Sequence, residues 1–198
     1  MKPLKISFFY LLMSFIFISW CSFTTNTKEN ETNDINNSSK EAIEKAQNTI
    51  EENFVEYENK KHNFKIEIPS TRSFQEDNLW FDIKLNTPKN NDINENLWIK
   101  VQELKIKHDE ESYIKTTINE LKKLYADLIE EEIKDTYTNN WKSIIYEFSD
   151  KWLNLKAQQT VFIINNKAYV FTYTATKDTF DNYINEINNI INSLTILN

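Results

Sequence analysis

The chain is expected to fold as an α+β domain, a largely antiparallel sheet with helices on both faces, forming an α/β/α sandwich. Three observations carry that expectation. The stretch TVFIINNKAYVFTYTAT, Thr160 to Thr176, places two runs of β-branched and aromatic residues around a polar tip at Asn165-Asn166. Such residues suit a pleated surface, and asparagine accepts the positive φ of a tight turn. Both faces of this hairpin are apolar, with Phe162 and Ile164 on one side and Val161 and Ile163 on the other. A hairpin of that kind belongs at the centre of a sheet covered on both sides. Two amphipathic stretches, Glu111 to Ile129 and Thr179 to Leu194, supply the cover.

Composition narrows the class. With 198 residues, 40% hydrophobic and 14% aromatic, the chain suits one folded domain plus a leader. It contains no glycine at all, so its turns must be made by Asn, Asp and Pro. The net charge of −7 gives no counterion release on phosphates, and nucleic acid is not expected as a partner. Cys21 is the one cysteine, which excludes an internal disulfide.

The chain opens with Lys2 and Lys5, then about 15 mostly apolar residues, ISFFYLLMSFIFISW, before Cys21. A basic start and an apolar run shorter than a membrane span describe an export signal over residues 1–20. Ile18-Ser19-Trp20-Cys21 resembles the bacterial lipobox, whose cysteine is lipidated and becomes the mature N-terminus. Trp20 departs from that pattern, since the residue before the cysteine is normally small. A lipid anchor at Cys21, an uncleaved N-terminal anchor and a secreted form are the three readings. The lipid anchor is preferred, because the only cysteine stands at the end of the apolar run. It places the protein in the bacterial cell envelope. Residues 21–53 then form a tether: Ser22 to Ser39 is polar and nearly free of apolar residues and cannot bury enough surface to offset chain entropy. Ala42, Ile43, Ala46 and Ile50 at helical spacing suggest a short helix within it.

The folded domain is expected over residues 54–198. Phe54 to Tyr57 and Phe64 to Ile68 read as strands, the second alternating strictly and stopped by Pro69. A loop follows from Ser70 to Asn78. Leu79 to Leu85 and Leu97 to Ile106 are the next strands. The helix from Glu111 to Ile129 carries Ile114, Ile118, Leu121 and Leu128 at spacings of three and four, with His108 or Asp109 as its cap. An edge strand begins near Glu132. Trp141 to Phe148 and Leu153 to Ile164 follow as strands about a turn at Asp150-Lys151, and the central hairpin comes next. The helix from Thr179 to Leu194 closes the chain, with Asp178 as its expected N-cap.

Three stretches together, NFKIEIPSTRSF, ESYIKTTINEL and AYVFTYTATKDTFDNYINEINNIINSLTI, resemble the PsbP-like superfamily. That group includes the Ran-binding Mog proteins and DcrB-type bacterial lipoproteins. Ala168-Tyr169, Thr172-Tyr173 and Ser193-Leu194 carry the match, over about Phe54 to Ile196. The usual Trp after the strand-ending proline is absent, with Arg72 and Phe74 nearby instead. The resemblance implies an α/β/α sandwich used as an accessory or binding module, often exported.

The residues offer little catalytic chemistry, so the chain is expected not to be an enzyme and to hold no cofactor or metal. His62 and His108, its only histidines, sit beside lysines in expected surface turns. The acidic runs Glu51-Glu52, Asp109 to Glu111 and Glu130 to Glu132 lack EF-hand spacing. Trp152, just after a turn, and Trp141, near a strand end, are the candidates for binding a protein partner, since tryptophan is enriched at binding hot spots. A small apolar ligand held between sheet and helix is the alternative function, with a hydrolase the more distant one.

Overall fold

The computed structural model describes residues 53–87, 95–136 and 141–197. The leader, Cys21, the tether and the expected short helix at Ala42 to Ile50 lie outside the described residues.

The described strands fall into two antiparallel sheets. The smaller is built from β1 (Phe54–Asn59), β2 (Phe64–Pro69) and, far along the chain, β11 (Thr195–Ile196), in the order β1-β2-β11. The larger contains β3 (Ser73–Glu76), β4 (Ile83–Asn86), β5 (Asn96–Glu103), β6 (Ile129–Glu130), β7 (Lys134–Asp135), β8 (Lys142–Asp150), β9 (Leu153–Ile164) and β10 (Lys167–Thr176). Its order is β3-β4-β5-β10-β9-β8-β6, with β7 also on the outer edge of β8. The two helices among the described residues are α1 (Glu110–Leu124) and α2 (Phe180–Asn192).

The β9–β10 hairpin is central, as expected. Its tip turns on Asn165 (φ 50°) and Asn166 (φ 61°), the two positive values that a tight hairpin turn requires. One face holds Tyr169, Phe171 and Tyr173, which pack with α2 (Phe180, Ile187, Ile190, Ile191) and with Phe64, Ile66 and Ile68 of β2. The other holds Val161, Ala168 and Val170, covered by Ile114, Ile118 and Leu121 of α1. The layers are therefore α1, the large sheet, and then α2 together with the small sheet.

Several local expectations are corrected. The first two strands do not join the main sheet; β2 instead pairs with β11, Lys65 opposite Thr195. The loop after Pro69 contains strand β3, paired with β4. The apolar run at Leu79 is a turn rather than a strand, because Asp77 at φ 46° and the bond from Asn78 N to Phe81 O (2.9 Å) reverse the chain there. Helix α1 ends at Leu124, not Ile129, with Tyr125 extended at its C-cap and Ile129 paired opposite Glu147 in β6. Asp109 does cap α1, accepting from Ser112 N at 2.7 Å. Asp178 does not cap α2. Thr179 holds that position without a side-chain cap bond, its hydroxyl 2.6 Å from that of Thr176.

Candidate functional site

The two tryptophans proposed from sequence part company. Trp141 is 6% exposed and lies against Phe162, ring centres 5.0 Å apart, as part of the α2-side core. Its indole is thus committed to packing rather than offered to a partner. Trp152 is 74% exposed, the most exposed large apolar side chain among the described residues. It sits at the tip of the β8–β9 hairpin, where Asp150 pairs with Leu153 and Lys151 holds φ 58°. A non-glycine residue in the left-handed region costs about 1–2 kcal/mol, so this tip is sterically expensive as well as hydrophobic.

Two connections attach to this end of the hairpin. The turn after α1 packs Tyr125 on Phe148 with ring centres 4.7 Å apart. Burial, and next the nearby Asp150, push the Tyr125 hydroxyl above its ordinary pKa. The turn into α2 is tied to the hairpin by Lys177 N to Asn154 O at 3.0 Å and by Lys177 to Glu147 at 2.6 Å. Leu124 and Ile129, 46% and 67% exposed, flank the same turn after α1. A large aromatic side chain left in water, as at Trp152, is the kind of group enriched at binding hot spots.

The other sequence candidates have structural employment. His108 lies edge-on to Tyr113, centres 6.3 Å apart. Of the first described acidic run, Asp109 caps α1, Glu110 accepts from Ile163 N at 2.9 Å and Glu111 pairs with Lys115 at 2.5 Å. These residues, with Ser112, Lys115 and Lys142, line an open recess of about 370 Å³. In the second run, Glu130 pairs with Lys122 at 2.9 Å and Glu131 with Lys134 at 3.8 Å. Among the described residues no group of three or more His, Cys, Asp and Glu side chains is placed to hold a metal.

His62 is not the solvated turn residue expected from sequence. Its Nε2 lies 3.0 Å from Asp82, a carboxylate only 1% exposed. Asp82 also meets Lys61 at 3.1 Å and Lys100 at 3.7 Å, and accepts from Val101 N at 2.8 Å. Burial alone would raise the Asp82 pKa. The Val101 amide and the Lys100, Lys61 and His62 charges outweigh burial and hold it below its ordinary value. This cluster fastens the β1–β2 turn to the β4–β5 edge of the large sheet. A charged residue inside the apolar run LWFDIKL was the one sequence signal that could have revealed it.

A second, largely buried pair joins Arg72 to the half-buried Glu186 of α2 through two bonds of 2.8 and 2.6 Å. The guanidinium also lies 4.7 Å from the centre of the Tyr183 ring. On the α1 side, the space between helix and sheet is filled by Ile114, Ala157 and Val161, each fully buried. A small apolar ligand would have to displace them.

No family model matches the chain, and no curated protein matches it. Solved structures do share its fold. The Ran-binding protein Mog1p of Saccharomyces cerevisiae superposes with a TM-score of 0.53 at 9% identity, over 74% of this chain and 96% of that one. LpqN of Mycobacterium tuberculosis, a protein involved in cell envelope biogenesis, gives 0.53 at 10% identity, over 74% and 91%. Cyanobacterial PsbP from Synechocystis sp. PCC 6803 gives 0.47 at 15% identity, over 73% and 93%. The antiparallel sheets and the two described helices thus share the fold of Mog1p and LpqN, as the resemblance to the Mog proteins implied. At these identities the likeness is one of architecture.

Proposed function

From a fold shared with a Ran-binding protein and with an envelope-biogenesis protein, we propose that this chain is a binding or assembly-accessory module of the bacterial cell envelope. On this reading it is exported, held at the membrane by a lipid on Cys21, and docks a protein partner through the Trp152 corner. The observation that carries the partner site is the 74% exposed indole on a turn whose preceding residue holds a strained backbone. Neither feature contributes to the core, and both lower stability or solubility. Support for the envelope comes from the export-type leader, the cysteine at its end and the envelope role of LpqN. Among the described residues no helix is long and apolar enough to cross a membrane.

Two experiments test the reading. A crosslinked envelope pull-down with the full chain is expected to recover one specific protein, with recovery falling about tenfold or more for Trp152→Ala. Equal recovery by both would remove Trp152 as the site. Metabolic palmitate labelling is expected in the wild type and absent in Cys21→Ser; equal labelling would end the lipid anchor.

A further inference from the structure

We propose that the free edge of β3 takes up an extended segment of a protein partner as an added strand, one with Lys or Arg two residues before an apolar residue. This site goes beyond the Trp152 reading and lies apart from that corner. Trp152 follows the end of β8, five strands from β3 in the sheet order, about 24 Å away at ~4.8 Å per strand. Among the described residues β3 pairs with β4 alone. Bonds from Thr87 N to Glu95 O and from Asp77 N to Asp82 O, each 3.0 Å, set the alternation of its ladder. Ile83, Leu85 and Thr87 turn their backbone groups to β5, so Lys84 and Asn86 turn theirs to Gln75 and Ser73 of β3. The N–H and C=O groups of Phe74 and Glu76 therefore point outward, a template for another chain.

The other described edges are guarded where this one is not. On β1, Glu56 and Glu58 share Lys65 at 2.7 and 3.8 Å. β6, β7 and β11 are two residues each. Charges and short strands of this kind block pairing. β3, Ser73-Phe74-Gln75-Glu76, is exposed at all four residues, holds no lysine or proline, and keeps an unbroken register with β4. Phe74 and Glu76 share the face of Leu85 and Ile83, their partners in β4. Against that face lies Tyr57 of β1, its ring 5.4 Å from that of Phe74 and its hydroxyl donating to Glu76. Phe74 is 45% exposed even so. Among the described residues no cation pairs with Glu76. Lys61 is held by Asp77 and Asp82 at 2.9 and 3.1 Å. Lys84, opposite Gln75, lies on the other face, 5.8 Å from the centre of the Trp98 ring. An added antiparallel strand brings one residue opposite Glu76 and, two further on, another opposite Phe74, both on the Tyr57 face. A cation at the first and an apolar side chain at the second match the charge and the aromatic surface they meet. A second copy fits less well: its own β3 brings Glu76 and no cation, and four paired residues bury far less than the roughly 800 Å² per partner of a stable dimer.

The test uses the full purified chain and a short labelled peptide of threonines carrying an arginine and, two residues later, a valine, read by fluorescence anisotropy. N-methylation separates strand addition from side-chain contact. A methyl on the valine nitrogen, which faces β3 in the added strand, is expected to weaken binding about fivefold or more. A methyl on the nitrogen of the residue between arginine and valine faces away and is expected to leave binding within about twofold. A glutamate-for-arginine peptide is expected to bind about fivefold or more weakly, and Glu76→Lys to reverse that preference. Trp152→Ala is expected to bind the peptide as wild type does. Circular dichroism checks that Glu76→Lys, an exposed position, is folded, and the methylation series on the wild type needs no variant. Absence of binding up to about 1 mM, equal effects of the two methyl groups, or a charge preference that Glu76→Lys leaves unchanged would each overturn the inference. A dimer in analytical ultracentrifugation that Glu76→Lys dissolves would also overturn it, by making a second copy the occupant. If the pull-down recovers a Trp152-dependent partner while the arginine peptide fails, the accessory-module reading stands and only this inference falls.

Discussion

Asp82 offers the most demanding test of how the domain is held together. Replacing it with alanine removes the acceptor of the Val101 amide, a buried donor, at a cost of about 1–3 kcal/mol. The ionic contacts add less, because Lys61 and Lys100 are 56% and 32% exposed, and partly solvated pairs contribute roughly 0–1 kcal/mol each. The expected loss for Asp82→Ala is therefore about 3 kcal/mol, or a fall in Tm of ~6–12 °C for a domain of this size. Asp82→Asn keeps an acceptor for Val101 and loses only the charge, so its cost is expected to be about half as large. Acidity supplies an independent check. The folded pKa lies below the ordinary 3.8, so the ionised carboxylate stabilises the fold above that ordinary value. That contribution is lost as pH falls through the lower folded value. Urea unfolding followed by circular dichroism should show the gap between wild type and Asp82→Asn intact at neutral pH and closing below about pH 4. A gap that widens on acidification, or an Asp82→Ala cost below about 1 kcal/mol, would refute the view that this carboxylate anchors the small sheet.

Three further outcomes are expected. Arg72→Met leaves the half-buried Glu186 without its two bonds and should cost about 2–3 kcal/mol in denaturant unfolding. Arg72→Lys should recover only part of that, since an ammonium cannot reproduce the planar fork. Lys151→Gly relieves the φ of 58° and should raise stability by about 1 kcal/mol, read as a higher urea midpoint with unchanged slope. Trp152→Ala removes a side chain already mostly in water, so its unfolding free energy should match wild type within about 0.5 kcal/mol. A larger loss would mean the indole packs against the domain.

The centre of the fold was legible in the sequence because several local signals agreed there. Residues 160–176 combine strand propensity, an asparagine turn and two apolar faces, and each of these points to the same hairpin. Helix α1 was equally plain along Ile114, Ile118 and Leu121, but Leu128 lies at a compatible spacing and extended the expectation past Tyr125. Periodicity does not register where a backbone turns extended. Strand β3, SFQE, was invisible because all four residues are exposed and no apolar alternation survives. The small sheet was missed because β11 contributes two residues, Thr195 and Ile196, to a pairing set by distance in space rather than by local pattern. For the candidate site, the turn signal before Trp152 identified an exposed indole, while Trp141 lay in a strand-like run that the core claimed. The Asp82 cluster joins residues from three separate segments, and nothing local to Lys61 or His62 announces it.

The late arrival of β11 has a kinetic consequence. β2 leaves the ribosome early, but its second edge has no partner until Thr195 and Ile196 follow about 130 residues later. Three other ties close the same gap: Glu67 N to Ser193 Oγ at 2.8 Å, Arg72 to Glu186, and Leu197 N to Asn63 O at 2.8 Å. At roughly 5–20 residues per second, that edge waits about 6–26 seconds during synthesis. Over that interval Phe64, Ile66 and Ile68 lack the α2 side chains that bury them, and an open strand beside apolar side chains invites wrong pairing. The hairpin at the centre can form from adjacent sequence, whereas the small sheet is a long-range closure that is expected to set the folding rate. A chain built this way depends on whatever shields β2 until its last partner arrives.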